Sequence, residues 1–459
     1  MATYIDRTFT AGNRKTMTFS GWIKRTGNLG TYAHLLTSSP NPGNWDSIRI
    51  ENDRKLGVHL VGDNKVIRTN RELWDPHAWY HIVVAIDTTQ ATASNRVKIY
   101  INGEQETDLN SSSYPDQDTD LNFNDNGKTC RIGDNTWSTG SEWFSGLASH
   151  WHFCDGTAYT PSAFGSTDST TGEWKINASP SVTYGTNGFF LFKDNGAITD
   201  NSGEGNNFSS SGTGVTNVDD NPSNNFPILN PLFYSPDVTL NHGSTTVVES
   251  GDNWRSAYSS LGVSKGKWYW EAEISYQSGN ECYFGIAHED HFTGPDVTYG
   301  GSASTGAPQS GGYDYIGYST RSFGIYSNGN QDYPSTTTYT GAYNASTYKM
   351  SFALDLPNRK LYVARNGVWT NGSNNDWGSS TFDSTVGAID VSGKIPTTGF
   401  VFPGFSPNQS TWKVNFGNGY FGTSAISSPQ NDGSGLGKFQ YSPPSGYYAI
   451  CTKNINTYG

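Results

Sequence analysis

The sequence is poor in charge and in long apolar runs, and each shortage excludes a class of protein. Charged residues make up 15% of the 459 residues, whereas ordinary soluble domains have roughly 25%. Acidic residues outnumber basic ones by 41 to 29 and no basic run occurs, which argues against nucleic acid and anionic membranes as partners. No stretch approaches about 18 uninterrupted apolar residues, so we predict no membrane insertion.

Cysteine is also scarce. The four cysteines, Cys130, Cys154, Cys282 and Cys451, form no CxxC pair, which argues against structural zinc and dithiol redox sites. Four buried or unreactive thiols are the leading expectation, and a single Cys130–Cys154 bridge is the alternative. The first 15 residues have no apolar core, so no secretion signal is expected.

Glycine, aromatic and β-branched residues are abundant instead. The chain has 53 glycines, and aromatics reach 14%. Alternating runs such as residues 80–87, 96–101 and 315–319 predict strands, and no segment carries a helical repeat over three turns. The Asn-Gly pairs at 102–103 and 366–367 each predict a two-residue hairpin. We therefore predict an all-β protein with helix below about a tenth of its residues.

The distribution of these runs divides the chain into three parts. Residues 1–165 and 231–459 hold many short strands, which predicts two β-sandwich domains. Residues 166–230 are rich in Gly, Asn and Ser and contain one apolar stretch, GFFLFK at 188–193. We interpret this part as an extended connector pinned by one strand.

Residues 1–165 resemble the laminin-G-like branch of the concanavalin A-type jelly roll. The matching stretches are FSGWIKR (19–25), HAWYHIVVAIDTTQATASNRVKIYINGEQE (77–106) and FSGLASHWHFCDGTAYTPSAFG (144–165). The second half resembles a SPRY domain, through GKWYWEAEI (266–274), YFGIA (283–287), IGYSTRSFGIYSNG (316–329), LDLPNRKLYVARNGVW (354–369) and WKVNFG (412–417). The resemblance implies two jelly-roll-type sandwiches, one concanavalin A-like and one SPRY-like.

The tail FQYSPPSGYYAICTKN (439–454) and the connector segment DNSGEGNNF (200–208) are similar to parts of virion proteins of marine tailed bacteriophages. That resemblance implies a non-enzymatic structural protein on the virion exterior: a short fibre, a spike or a capsid decoration, made in the host cytoplasm without a signal peptide. Its partners would be other virion proteins of the capsid or tail and a glycan of the host surface.

We also expect a homo-oligomer, most simply a trimer, because closed assemblies cover exposed sheet edges. Its contact would include the GFFLF stretch, which is hard to bury in so polar a connector. The alternative is that this stretch completes one edge of a sandwich in a monomer.

Two other functions stay open, a glycan-degrading enzyme and a purely structural decoration without a ligand. Glu271 and Glu273 lie on one face of a predicted strand, but residue 275 is Ser, so the third carboxylate of a Glu-x-Asp-x-Glu pattern is missing. The run His288-Glu289-Asp290-His291 is one residue short of zinc-protease spacing. We therefore predict no enzyme activity, no catalytic residue and no resident cofactor.

Loop aromatics are the stronger binding signal. Flat rings beside Asn and Asp side chains suit the apolar faces and hydroxyl rims of sugars, and the same composition suits a protein partner. For each residue, packing under its own loop is the alternative. The candidates for carbohydrate or partner binding are Trp45, Trp137, Trp143, Tyr299, Tyr313, Tyr333, Tyr339, Trp369 and Trp377.

Three aspartates, Asp116, Asp118 and Asp120, have the spacing of calcium-loop ligands. Leu121 stands where an EF-hand loop requires glycine, and Gly127 stands where it requires a bidentate Glu, so a helix–loop–helix site is excluded. Lectin-like jelly rolls often hold calcium at a loop rim. The resemblance therefore implies one Ca²⁺ near this loop, as an alternative to ordinary turn chemistry.

Overall fold

A computed structural model describes residues 3–27, 31–41, 43–138, 140, 142–193, 198–212, 215–234, 238–251, 255–293, 315–330, 338, 340–344, 347–371 and 376–459. Strands hold 45% of the residues and helices 5%, which confirms the all-β prediction. Two compact units are formed, the first from Met1–Asn217 with Asn221–Ser223 and the second from Val218–Asp220 with Asn224–Gly459. No helix in the described ranges is long and apolar enough to cross a bilayer.

The first unit contains two large antiparallel sheets. Its strands are β1 (Tyr4–Thr8), β2 (Thr16–Arg25), β3 (Ala33–Asn41), β4 (Asn44–Ile50), β5 (Lys55–Leu60), β6 (Lys65–Glu72), β7 (Tyr80–Asp87), β8 (Val97–Ile101), β9 (Glu104–Gln105), β10 (Leu109–Ser112), β11 (Thr129–Ile132), β12 (Gly146–Asp155), β13 (Gly165–Thr167), β14 (Trp174–Ile176), β15 (Phe189–Leu191) and β16 (Ser209–Ser211). The eight-stranded sheet has the order β10-β6-β5-β4-β3-β11-β1-β16, and the six-stranded sheet has the order β15-β12-β2-β7-β8-β9.

The core of this unit lies between the two sheets and follows from the period-two alternation of the strands. Ile48 and Ile50 of β4 and Val58 of β5 point inward and are fully buried. The residues between them point to the opposite, outer face of the eight-stranded sheet. Asn102 and Gly103 form the predicted hairpin between β8 and β9, with positive φ values of 51° and 85°, as a type I′ turn requires.

The segment predicted as an extended connector contributes most of its length to the first unit. Strand β15 pairs with β12 at the edge of the six-stranded sheet, and β16 pairs with β1 at the edge of the eight-stranded sheet. The segment therefore closes two sheet edges, because its short strands find partners far away in the sequence.

The GFFLF stretch is buried within its own unit. Phe189 and Leu191 enter the core between the sheets. Phe190 points the other way, into a layer with Phe164 and Tyr184 that covers the outer face of the six-stranded sheet. The structure thus has the arrangement of the alternative hypothesis, in which the stretch completes a sandwich edge. An oligomer contact through the side chains of residues 189–191 is wrong, because they have almost no exposed surface to offer, and the oligomeric state itself stays a prediction.

All four cysteines are free and buried, so the alternative of a Cys130–Cys154 bridge is wrong. Cys130 belongs to the core between the sheets, whereas Cys154 belongs to the layer on the far side of the six-stranded sheet. Burial raises the pKa of the Cys154 thiol to about 12, which disfavours the reactive thiolate.

The second unit is built around two very long strands. Its elements are β17 (Leu229–Tyr234), β18 (Thr239–Asn241), β19 (Thr246–Glu249), β20 (Ala257–Ser259), β21 (Lys267–His288), α1 (Asp290–Thr293), β22 (Ser322–Tyr326), β23 (Tyr348–Asp355), β24 (Lys360–Arg365), β25 (Val368–Thr370), β26 (Trp377–Ser379), β27 (Ile389–Asp390), β28 (Val401–Asn415), β29 (Tyr420–Phe421), β30 (Ser424–Ala425), β31 (Gln430–Asn431), β32 (Lys438–Phe439), β33 (Tyr448–Ala449) and α2 (Thr452–Tyr458).

Strands β21 and β28 run antiparallel and carry the rest of the second unit. The first half of β21 pairs with β23, and its second half pairs with β22. Between these halves the register with β28 shifts, between Tyr276 and Glu281. Residues 315–319, predicted as a strand, form a turn instead, because Gly317 has a φ of 100° and the Tyr318 amide donates to the Tyr315 carbonyl over 3.2 Å.

A buried carboxylate attaches the C-terminal segment to β21. Glu271 is fully buried and accepts hydrogen bonds from the backbone amides of Gln440 (2.7 Å) and Tyr441 (2.9 Å) and from the Tyr269 hydroxyl (2.9 Å). Burial raises the pKa of Glu271 to about 7 against the effect of these donors. Glu273, two residues on, is half-buried and pairs with Lys413 at 2.8 Å.

We expect Glu271→Ala to lower the free energy of unfolding of the second unit by about 1–3 kcal/mol, because three donors would lose their acceptor in a buried place. Glu273→Ala is the matched control, and we expect it to cost below about 1 kcal/mol, since its partners reach solvent. Urea unfolding of both variants measures the difference. Equal losses of stability in the two variants would show that Glu271 does not hold the C-terminal segment on β21.

Candidate functional site

A group of polar and aromatic side chains occupies the outer face of the eight-stranded sheet. Strand β4 presents Trp45, Ser47 and Arg49 on this face, and Ser47 lies directly opposite His59 of β5. Glu51 follows the end of β4. We call the following set the outer cluster: Tyr32, His34, Trp45, Ser47, Arg49, Glu51, His59, Asp63, Trp137 and Glu142.

An ion-paired network forms one part of the outer cluster. The Oε1 atom of Glu51 accepts from His59 Nε2 at 2.6 Å and from Arg49 Nε at 3.1 Å. The other ring nitrogen of His59 lies 2.7 Å from the Asp63 carboxylate. Burial opposes ionisation of Glu51, but the hydrogen bond from His59 and the charge of Arg49 lower its pKa to about 2. Glu51 is therefore a permanent anion at physiological pH.

Gly57 makes room for this network. It lies opposite Arg49 in the sheet, and a Cβ atom there would lie 2.3 Å from Glu51 Oε1 and 2.9 Å from His59 Nε2. Real Cβ contacts are not that short, so any larger residue would displace the carboxylate or the imidazole.

A second hydrogen-bonded chain runs through His34. Its Nδ1 atom lies 2.7 Å from the Ser47 hydroxyl, and its Nε2 atom lies 2.9 Å from Glu142 Oε2. Burial lowers the pKa of His34, so the neutral imidazole donates from Nε2 to Glu142 and accepts from Ser47 at Nδ1. The hydrogen bond from His34 lowers the pKa of Glu142. Glu142 is 27% exposed and offers an ionised acceptor at the surface.

Two indole rings stack within the same cluster. The centroids of Trp45 and Trp137 are 4.5 Å apart at an interplanar angle of 29°, and His34 meets Trp137 edge to face at 5.3 Å. The guanidinium of Arg49 lies 4.5 Å from the Tyr32 ring and 5.5 Å from the Trp45 ring. Trp45 is buried beneath the half-buried Trp137. The pair is thus a preformed aromatic platform.

The loop that follows β11 supplies the rim of the platform. Asn135 Oδ1 accepts from the backbone amides of Trp137 (3.2 Å) and Ser138 (2.6 Å), which fixes the turn of the loop at Trp137. Trp143 lies in the same loop beside Glu142 and is 46% exposed. Asp63, at the other end of the network, is 65% exposed. Buried members of the cluster therefore orient a rim of aromatic and anionic groups that faces solvent.

Chemically, this arrangement suits binding better than proton transfer. A glycosidase needs a carboxylic acid with a raised pKa as its proton donor, whereas the pKa values of Glu51 and Glu142 are both lowered. Glu271 has a raised pKa, but it is fully buried and occupied by the C-terminal segment. The absence of a catalytic role for Glu271 and Glu273 stays a prediction.

The structure brings together only some of the predicted binding residues. Trp45 and Trp137 meet in the outer cluster, and Trp143 borders it. Trp369 and Trp377 belong to the second unit, where Trp369 is buried and the Trp377 indole donates to the Ala342 carbonyl over 3.1 Å. The remaining four candidates lie outside the described residues: Tyr299, Tyr313, Tyr333 and Tyr339.

Sequence reasoning missed His34, Arg49, Glu51, His59 and Glu142. The available signal was the alternation of polar and aromatic residues along β4, which marks a second functional face on a strand whose other face is buried.

The three aspartates of the proposed calcium loop are exposed and do not converge. Asp116 pairs with Lys65 at 3.3 Å, and Asp118 pairs with Lys15 at 3.1 Å. Within the described part of the chain, no three His, Cys, Asp or Glu side chains are grouped so as to hold a metal ion. Calcium binding therefore has no support from this geometry and stays a prediction for Asp116, Asp118 and Asp120.

Comparison with known proteins agrees with the fold of the first unit. Residues 3–156 match the family model described as the concanavalin A-like lectin/glucanases superfamily. This stretch contains every member of the outer cluster. No curated protein sequence matches the chain.

The similar solved structures have low identity and low TM-scores. Stonustoxin is 16% identical with a TM-score of 0.27, and the match covers 41% of this chain but only 27% of that chain. A heptameric SAP-like pentraxin from Limulus polyphemus is 18% identical with a TM-score of 0.26, covering 35% and 72%. The PSpry domain of TRIM65 is 12% identical with a TM-score of 0.27, covering 41% and 89%. Likenesses of this size identify no function.

We expect Gly57→Ala to lower the free energy of unfolding of the first unit by roughly 1–3 kcal/mol, because the new methyl group overlaps Glu51 and His59. The control is Gly393→Ala in the second unit, where a Cβ atom meets nothing within 4 Å, so this variant should leave the unfolding of the first unit unchanged. Thermal and urea unfolding test both variants. If the Gly57→Ala protein is as stable as the control, the methyl group fits beside Glu51 and His59 without displacing them, and the prediction is wrong.

We expect the difference in stability between the wild-type protein and the Glu51→Gln variant to depend on pH. The pKa of Glu51 is lower in the folded than in the unfolded chain, so the contribution of its charge is complete above the unfolded value of about 4.5 and is lost as the pH falls towards 2. The loss is at most about 1.4 kcal/mol for each pH unit. The loss is measured from the unfolding free energies of both proteins between pH 7 and pH 2.5. A difference that stays constant over this range would contradict the stabilisation of the Glu51 carboxylate by its partners.

Proposed function

We propose that the first unit is a carbohydrate-binding module and that its ligand rests on the outer cluster. One observation carries this proposal: a stacked pair of indole rings, Trp45 and Trp137, lies beside oriented polar groups on the outer face of a concanavalin A-like sheet. The function is binding without bond cleavage.

The aromatic platform fits the apolar face of a pyranose ring. Trp137 is half-buried and backed by Trp45, so one ring is held in place while its neighbour stays accessible. Preformed aromatic surfaces lose little conformational entropy on binding. Trp143, nearly half exposed at the rim, offers a second aromatic surface for a longer glycan.

The polar rim fits the hydroxyl groups of the same ligand. Glu142 and Asp63 are hydrogen-bonded to His34 and His59 on one side and reach solvent on the other. Each has acceptor capacity left for sugar O–H donors, because an ionised carboxylate has about four lone-pair sites. Since His34 and His59 already orient these carboxylates, a sugar would meet groups that need no rearrangement.

We propose further that the protein acts on the exterior of a tailed-phage virion, attached to capsid or tail proteins, and binds host-surface glycans there. Support for this step comes from the sequence resemblance of residues 200–208 and 439–454 to such virion proteins. A purely structural decoration without a ligand is the competing function. Antibody labelling of purified particles in electron microscopy tests the location, and labelling of no virion structure would contradict it.

The binding experiment uses the full chain on an array of bacterial surface polysaccharides, followed by calorimetric titration of the best ligand. We expect Trp137→Ala and Trp143→Ala each to lower the affinity for that ligand by on the order of tenfold, because aromatic anchors carry much of the binding energy of such sites. The matched control is Trp74→Ala. Trp74 is 50% exposed and stacks on Arg54 at 3.5 Å, outside the outer cluster.

The Trp74→Ala control distinguishes binding at the outer cluster from non-specific binding to exposed aromatic residues. If all three tryptophan variants bind equally well, the ligand lies elsewhere on the chain. If no polysaccharide binds the wild-type protein, the carbohydrate function is wrong and the structural decoration is favoured.

A further inference from the structure

The second unit contains a cleft that the carbohydrate proposal does not use. It lies between β24, β25 and the segment after β26, and its volume is about 90 Å³. Aromatic rings form its walls, and one carboxylate stands among hydroxyl groups at its border. We call this the aromatic cleft; its main lining residues are Tyr362, Trp369, Thr370, Ser379, Phe382 and Asp383.

The rings of the aromatic cleft stand nearly at right angles to one another. The Phe382 ring lies 5.0 Å from both Tyr362 and Trp369, at interplanar angles of 70° and 73°. Tyr362 and Trp369 are buried in the second unit, and the Tyr362 hydroxyl donates to the Ser384 carbonyl over 2.9 Å. The walls are therefore fixed before any ligand arrives.

Among the described residues that line the cleft, the one charged side chain is the anion Asp383. Its Oδ1 atom accepts from the Thr385 amide at 2.8 Å and from the Thr385 hydroxyl at 2.7 Å, and these bonds lower the pKa of Asp383. Within the described ranges, no Lys, Arg or His pairs with Asp383. Asp355, the nearby carboxylate, is by contrast neutralised by Lys267 at 2.8 Å.

A lysine ammonium already lies near a ring that borders the aromatic cleft. Tyr447 packs on Phe382 at 5.5 Å, and the Lys267 ammonium lies 5.4 Å from the centre of the Tyr447 ring. Aromatic faces attract cations through their quadrupole, and sets of such rings are the usual receptors for quaternary ammonium groups.

We propose that the aromatic cleft binds an organic cation of the alkylammonium class, such as a choline or other methylated ammonium group. The methyl groups would contact Tyr362, Trp369 and Phe382, and Asp383 would balance the charge. A neutral sugar would use the rings but would leave Asp383 without a counter-charge. The chain's net charge of −12 also favours the approach of cations. This site is independent of the outer cluster and of the function proposed for it.

The test is calorimetric titration of the full chain with choline chloride at constant ionic strength. The paired probe is dimethylbutanol, the neutral isostere in which carbon replaces the charged nitrogen. We expect choline to bind on the order of tenfold more tightly than the isostere, because only the cation gains the ring and carboxylate attraction.

Variants then locate the binding. We expect Asp383→Asn, which changes an exposed side chain, to lower the affinity for choline several-fold. The matched control Asp376→Asn removes an exposed carboxylate outside the lining and should leave the affinity unchanged. Equal affinity for choline and its isostere, equal effects of the two Asn variants, or no heat with choline would each overturn the proposal. The polysaccharide titration of Trp137→Ala stays independent of all three outcomes.

Discussion

Buried carboxylates that accept backbone N–H groups hold the loops of this protein in place. Asp46 is the clearest case: it is fully buried, burial raises its pKa, and it accepts from the amides of Val61 (2.8 Å) and Phe123 (3.3 Å) as well as from Asn122. A chain with so few charges places several of them where irregular backbone would otherwise leave its donors unpaired. Asp432 has the same role in the second unit, where it accepts from the amides of Ser434 and Ala449.

The fixed position of Asp46 also determines the outer cluster, because Asp46 lies on strand β4. Asp46 points inward and is fixed by two loops, so its neighbours Trp45 and Ser47 must point outward at defined positions. Ser47 then orients His34, and the loop after β11 brings Trp137 onto Trp45. The arrangement of the outer cluster therefore depends on the buried carboxylate of Asp46, which lies on the opposite face of β4.

Local sequence predicted most strands and both Asn-Gly hairpins, since Asn366 and Gly367 also have positive φ values, of 50° and 79°. It failed where pairing with residues far away in the sequence determines whether a segment forms a strand. Residues 315–319 have a strand-like pattern but form a turn, and residues 209–211 look like a linker yet pair with β1 about 200 residues earlier. For the same reason Trp45 and Trp137 were predicted as separate candidates, whereas the histidines and carboxylates that join them into one site were not.

We propose that a glycan binds to the outer face of the eight-stranded sheet. A crystal structure of the protein with its best polysaccharide fragment would show the binding site. We expect a sugar ring against Trp137, with hydroxyl groups donating to Glu142 or Asp63 and with the buried network of Glu51 and His59 unchanged. A fragment bound elsewhere, with the outer cluster facing only solvent, would contradict it.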